Sequence, residues 1–176
     1  MRIIDLSFPI YNGMPVFPGD PEVEIKQIHN LSKQGWNLST LSISTHIATH
    51  VNVPLHMVRN GKTLDDFKLD LFMGEAELYR PKMKFNKEKG VIFHSCNVSQ
   101  EIASDLIKTS PKFIGLSSEF EFDINLERFL LEHGVISFEN LANTSKLPSS
   151  FYFYGIPLKI KNGDGSPVRA FAVVEQ

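Results

Sequence analysis

Thr45-His46-Ile47-Ala48-Thr49-His50-Val51-Asn52-Val53-Pro54-Leu55-His56 contains three of the chain's six histidines. Its odd positions carry Thr45, Ile47, Thr49, Val51, Val53 and Leu55, all β-branched or apolar. Its even positions carry His46, Ala48, His50, Asn52, Pro54 and His56. Period two predicts a strand with every imidazole on one face and the apolar set on the other. In a straight strand, at about 3.3 Å per residue, His46 and His50 stand about 13 Å apart. That is too far to share one ion at metal–nitrogen distances of about 2.1 Å. Joint chelation therefore requires a turn near Ala48, whereas His50 and Asn52 can converge without one. Histidines hydrogen-bonded on a half-buried strand would need no turn at all, so the residues alone leave both readings open.

Upstream, residues 2–8 predict a first strand. Tyr11-Asn12-Gly13-Met14-Pro15-Val16-Phe17-Pro18-Gly19-Asp20-Pro21 follows as a stiff loop, its prolines and glycines preventing regular structure. Phe17 in that loop is a candidate pocket wall or a core residue. Residues 22–29 predict a second strand, 32–35 a turn, and 37–46 a strand whose polar face runs into His46. Trp36 fits a pocket wall or an interface.

Downstream, Thr63-Leu64-Asp65-Asp66 has a capping-box pattern that predicts a short helical turn. Strands are expected at 74–79 and 91–94, separated by a basic solvated loop at 82–89. A helix is expected over 99–108, with Ile102, Ala103, Leu106 and Ile107 on one face. A buried strand follows at 112–117, then a second helix over 126–133 that ends at Gly134. Residues 135–138 predict an apolar strand with Glu139 at its tip, where a carboxylate must be solvated, paired or bound to a cation. Strands at 151–160 and 168–174 close the chain around a turn or functional loop at 161–167. His29 and His94 read as ordinary strand residues, and His133 as a partner of its helix C-terminus.

The 176 residues fit one domain spanning 1–176 with a substantial core. With 42% hydrophobic and 22% charged residues the chain is globular, and a formal charge of −2 argues against nucleic acid or an anionic membrane as partner. The single cysteine, Cys96, excludes an internal disulfide, fits a reducing compartment and reads as a small buried side chain rather than a nucleophile. No stretch has the length of a membrane span, and Met1-Arg2-Ile3-Ile4-Asp5-Leu6 reads as a strand rather than a signal peptide. The expectation is a soluble, cytoplasmic α/β or α+β protein.

With these residues in hand, the chain resembles the cyclase family of metal-dependent hydrolases, the family of the kynurenine formamidases (arylformamidases). The family motif H-x-G-T-H-x-D-x-P-x-H is similar to His46-Ile47-Ala48-Thr49-His50-Val51-Asn52-Val53-Pro54-Leu55-His56. Gly134-Val135-Ile136-Ser137-Phe138-Glu139-Asn140-Leu141 resembles the strand that delivers a metal-binding glutamate. Pro157-Leu158-Lys159 and Asp164-Gly165-Ser166-Pro167-Val168-Arg169-Ala170 resemble the C-terminal signature. Phe17 stands where kynurenine formamidases carry a substrate-contacting tryptophan.

The resemblance implies a three-layer swivelling β/β/α fold, strand-rich with two main helices, and a homodimer or homotetramer. It implies metal ligation by His46, His50, Asn52 and Glu139, a role for Glu127 at a second site, and His56 as acid/base. It also implies a small-molecule substrate with an amide (formamide-like) C–N bond, attacked by water that the metal acidifies. Three departures fall on the chemistry. Asn52 replaces the motif aspartate, Glu127 a histidine and Ala48 the motif glycine; Ser117 also stands where many members have an aspartate. An amide oxygen carries no charge and bridges two cations poorly, so one ion, zinc or manganese, is favoured over two. The rival expectation is a non-catalytic member that binds a small ligand in a degenerate site.

Overall fold

The computed structural model describes residues 1–175. Its strands are β1 (Arg2–Asp5), β2 (Glu24–His29), β3 (Leu38–Ser42), β4 (His50–Asn52), β5 (Met73–Leu78), β6 (Gly90–Phe93), β7 (Phe113–Ser117), β8 (Ser137–Leu141), β9 (Ser150–Tyr154), β10 (Gly165–Pro167) and β11 (Phe171–Val174). The α-helices are α1 (Leu31–Gln34), α2 (Gln100–Thr109) and α3 (Ile124–Glu132).

Nine strands form one mixed sheet in the order β1-β11-β9-β5-β6-β7-β8-β4-β10, and β2 pairs with β3 in a separate hairpin. The central run β5-β6-β7-β8 is parallel. Parallel neighbours need long crossovers, and α2 and α3 supply those between β6 and β7 and between β7 and β8. The inner strands are apolar on both faces, as a sheet covered on both sides requires. Val91, Phe93, Ile114 and Leu116 pack with Ala103, Leu106, Leu126 and Leu130 of the helices. Ile92, Phe113, Phe138 and Phe153 fill the core on the opposite face.

The helices start where local chemistry dictates. Ser99 accepts a hydrogen bond from Ile102 N at the head of α2, and Asp123 accepts from Asn125 N and Leu126 N at the head of α3. The expected capping box at Thr63 is present, with Asp66 closing it. The strand-rich α/β architecture with two main helices is the one expected from the sequence.

The structure corrects several local expectations. The 32–35 turn is one helical turn, capped by the Asn30 side chain and by Gly35 at φ +84°. β3 stops at Ser42 and does not reach His46. Glu139 sits in the middle of β8, not at its tip, because the strand continues through an irregularity at Asn140, whose φ is +54°. That extra residue lets both Phe138 and Leu141 reach the core although they are three positions apart. The strand expected at 151–160 ends at Tyr154, and the 161–167 connection contains β10. Among the described residues, no helix is long and apolar enough to cross a membrane.

Candidate metal centre

The 45–56 segment bends before it becomes a strand. Ala48 takes φ +52°, the left-handed region, and β4 begins two residues later at His50. The turn is anchored from three directions. Ala48 O accepts from His50 Nδ1 at 2.8 Å and from Asn140 Nδ2 at 3.2 Å. Thr49 Oγ1 donates to Asn140 O at 2.7 Å and accepts from Phe8 N at 3.0 Å. The result is a ring-centroid separation of 5.4 Å between His46 and His50. The turn required by the distance argument is therefore made, with alanine in place of glycine.

Cross-strand register assembles the remainder. β4 pairs antiparallel with β8 so that His50 lies opposite Glu139 and Asn52 opposite Ser137. On its other edge β4 pairs with β10, which sets Gly165 opposite Asn52. Period two turns Val51 and Phe138 into the core and leaves His50, Asn52, Ser137 and Glu139 on the opposite face. Gly165 is required here by space: a Cβ on it would lie 2.4 Å from His46 Cε1 and 2.8 Å from Val51 O. α3 contributes Glu127, a carboxyl only 5% exposed among Leu126, Leu130 and Leu131.

Asn52, fully buried, is the hub of the cluster. Its Nδ2 donates to Glu127 Oε1 and to Glu139 Oε1, each at 2.5 Å, which uses both amide protons. Its Oδ1 therefore faces His46 Nδ1 at 2.7 Å. His46 Nε2 lies 2.9 Å from Asp164 Oδ2 and donates to it, so in a neutral ring Nδ1 carries a lone pair. His50 Nδ1 donates to Ala48 O, so in a neutral ring its Nε2 is a lone pair, 3.6 Å from Glu139 Oε1. Four acceptor groups thus line the inner face: His46 Nδ1, His50 Nε2, Asn52 Oδ1 and Glu139, whose Oε1 already accepts from Asn52. Facing lone pairs repel unless a proton or a cation lies between them. Two imidazoles, an amide oxygen and a carboxylate form a donor set suited to zinc or manganese.

The electrostatics divide the two carboxyls. Burial, reinforced by the charge of Glu139, pushes Glu127 up to about 8. Burial also works to raise Glu139, but a protonated His50 ring and the Asn52 amide outweigh it and hold Glu139 below its usual range. The shared proton therefore resides on Glu127. Burial holds His56 down at about 4, an effect to which a protonated His46 would add, against the pull of Asp164 and Glu139.

His56 follows β4 on a helical turn and lays its ring against His46, with centroids 3.8 Å apart. Its Nδ1 is 3.8 Å from Asp164 Oδ2. His46, His56 and Asp164 can each direct one ligand atom to within 4.8 Å of the others, a second grouping on the outer side of His46. There the carboxylate accepts the His46 N–H, so His46 offers this outer grouping a lone pair only when its proton moves to Nδ1.

Six of the seven residues singled out from sequence come together: His46, His50, Asn52, His56, Glu127 and Glu139. Phe17 does not join their hydrogen bonds or ring contacts. It lies 67% exposed at the head of a turn closed by Asp20 N to Phe17 O. Ser117 is tied to Thr144 and Glu119 instead. Cys96 is half-buried and burial pushes its thiol up, as suits a packing residue. His133 caps α3 and lies 2.7 Å from Phe129 O. Asp164 was not picked out as a site residue; its only signal was its place before Gly165 in the C-terminal signature.

The Cyclase family profile matches residues 4–94. The chain is similar to a kynurenine formamidase of Salinibacter ruber, with 28% identity over 97% of this chain and 96% of that protein. A kynurenine formamidase of Geobacillus thermodenitrificans is 23% identical over 95% of each. Among solved structures, an isatin hydrolase bound to a product analogue superposes with TM-score 0.81 at 16% identity, covering 99% of this chain and 93% of that one. A structure described as a potential metal-dependent hydrolase with cyclase activity gives TM-score 0.78 at 22% identity, covering 97% and 96%. Both support the fold.

Proposed function

The chain belongs to the Cyclase family, and from that premise we propose that it is a metal-dependent hydrolase acting on an amide, formamide-like C–N bond of a small substrate. The observation that carries this reading is the facing of His46 Nδ1 and Asn52 Oδ1 at 2.7 Å, with His50 Nε2 beside them and 3.6 Å from the Glu139 oxygen that accepts from Asn52. These four hold one ion, zinc or manganese. When bound, it supplies the positive charge that polarises a carbonyl and acidifies a water.

The chain's own residues do the rest. Glu127 keeps its proton at neutral pH and, with Glu139, fixes the Asn52 amide so that Oδ1 points at the ion site. His56 is neutral at pH 7 and half-exposed beside His46, so a free ring nitrogen can take a proton from attacking water and return it to the leaving nitrogen. Phe17, on its exposed loop, contacts substrate on this reading. The exposed apolar side chains of the β2–β3 arm, among them Ile28, Leu38 and Leu41, support assembly as a homodimer or homotetramer.

The kynurenine formamidases among the relatives make N-formylkynurenine the first substrate to assay. Metal-dependent turnover that falls about 10²–10⁴-fold in His56→Ala is expected. A protein loaded with one equivalent of zinc or manganese that leaves N-formylkynurenine and simple formanilides intact overturns the formamidase reading and leaves hydrolysis of another amide standing.

One observation favours a second reading, a ligand-binding member without catalysis: the Asn52 amide nitrogen donates to both Glu127 and Glu139, occupying with protons oxygens that an ion would use. Elemental analysis decides between them. About one equivalent of metal per chain supports the hydrolase, and none after incubation with zinc and manganese supports the binding protein.

A further inference from the structure

Asp164 stands behind His46, on the side away from Asn52. Its Oδ2 accepts from His46 Nε2 at 2.9 Å, and its Oδ1 accepts from Thr45 Oγ1 at 2.9 Å. Its backbone is fixed as well, because Asp164 O accepts from Val53 N at 3.2 Å and the next residue opens β10. The carboxylate is therefore an acceptor held by the Thr45 hydroxyl, on a backbone tied to Val53 just after β4.

A neutral imidazole carries one proton and can place it on either nitrogen. At His46 the choice decides whether an ion can bind. A proton on Nδ1 would lie between that atom and Asn52 Oδ1, filling the inner site with an ordinary hydrogen bond. A proton on Nε2 is taken up by Asp164 and leaves Nδ1 as a donor atom. His50 is set in the same way by the Ala48 carbonyl, with the nitrogens exchanged. Carboxylates and carbonyls behind ligating histidines fix ring orientation and raise ligand basicity. The same Asp164 oxygen is 3.8 Å from His56 Nδ1, so one group reaches both rings.

We propose that Asp164 is a positioning residue that fixes His46 in the Nε2–H tautomer, so that Nδ1 is presented to the ion, and that Thr45 holds the carboxylate for this task. The inference rests on the reading of His46 as a metal ligand.

The test uses the full chain with Asp164→Ala, Asp164→Asn and Thr45→Val. Calorimetric titration with Zn²⁺ and Mn²⁺ gives affinity and stoichiometry, and ¹⁵N spectra of the histidine rings report the His46 tautomer. Asp164→Ala should weaken ion binding by about 10–100-fold while keeping one site per chain. Its His46 signals should move from the Nε2–H pattern toward a mixture of tautomers. Asp164→Asn keeps an acceptor oxygen and should retain the tautomer with a smaller loss. Thr45→Val should fall between wild type and Asp164→Ala. A merely structural role would not change the ring nitrogen pattern of a folded protein.

Unchanged affinity and an unchanged His46 pattern in Asp164→Ala would overturn the proposal. So would complete loss of ion binding in Asp164→Ala with binding preserved in His50→Ala, which would make Asp164 a ligand of the outer grouping. The ring spectra are also recorded on metal-free protein. Absence of ion binding in wild type then counts against the hydrolase reading, whereas an unmoved tautomer counts against Asp164 alone.

Discussion

Glu127→Gln separates the energetics of the buried carboxyl pair from the rest of the molecule. In the metal-free protein Glu127 is raised from 4.5 to about 8, first by burial and then by the charge of Glu139. Between these values the folded state binds a proton that the unfolded chain has released, so stability falls as pH rises. The contribution is complete below 4.5 and is lost as pH passes about 8. His56 acts in the opposite direction: lowered from 6.5 to about 4, it makes stability rise over that interval and is nearly silent above it.

The window from about pH 7 to 8.5 therefore reports Glu127. One proton is equivalent to about 1.36 kcal/mol per pH unit, and partial titration of both groups leaves a net loss of about 1 kcal/mol across the window. Glutamine reproduces the protonated carboxyl and can still accept from Asn52 and Ser137, as Glu127 Oε1 does at 2.5 and 3.2 Å. Urea unfolding of chelator-treated protein at both pH values reads the effect. Wild type should lose stability across the window, and Glu127→Gln should be flat and the more stable of the two at the higher pH. A flat wild type, or equal slopes in both proteins, refutes the assignment of the proton to Glu127.

Ala48→Gly should stabilise the protein by up to about 1 kcal/mol in the same unfolding assay, since alanine at φ +52° bears a left-handed penalty that glycine lacks. Gly165→Ala should disrupt the ion site and lower zinc affinity by at least about tenfold, because the added methyl meets the His46 ring and the Val51 carbonyl. Phe138→Ala should cost about 3–5 kcal/mol, as this fully buried ring packs against Phe113 and Phe153 with centroids 5.4 and 4.9 Å away. An intact unfolding midpoint in that variant would mean the core closes over the cavity.

Much of the site was legible because its first contributors are neighbours in sequence. The alternation from Thr45 to His56 gave the faces, and simple chain length required a turn near Ala48 if His46 and His50 were to meet. The two main helices were legible from apolar spacing and the stop at Gly134, but their caps, Ser99 and Asp123, were not. Glu139 was misplaced at a strand tip because the irregularity at Asn140 depends on pairing with β7, which no local pattern encodes. β10 was hidden because Gly165-Ser166-Pro167 has the composition of a loop and becomes a strand only against β4. Asp164 was overlooked for the same reason, since an acidic residue in a glycine-rich connection looks like an ordinary turn.

By itself the sequence determined which side chains β4 offers to each face, where the two main helices lie to within two residues, and that His46 and His50 could meet only through a bend. Those are consequences of backbone geometry over a few residues. Only the tertiary structure decided what they meet. Asn52 finds Glu127 and Glu139 across 75 and 87 residues, and His46 finds Asp164 across 118. Such contacts follow from sheet register, which one residue of slip would turn to the other face. They also decide where each imidazole proton resides, and with it which nitrogen is free to hold an ion.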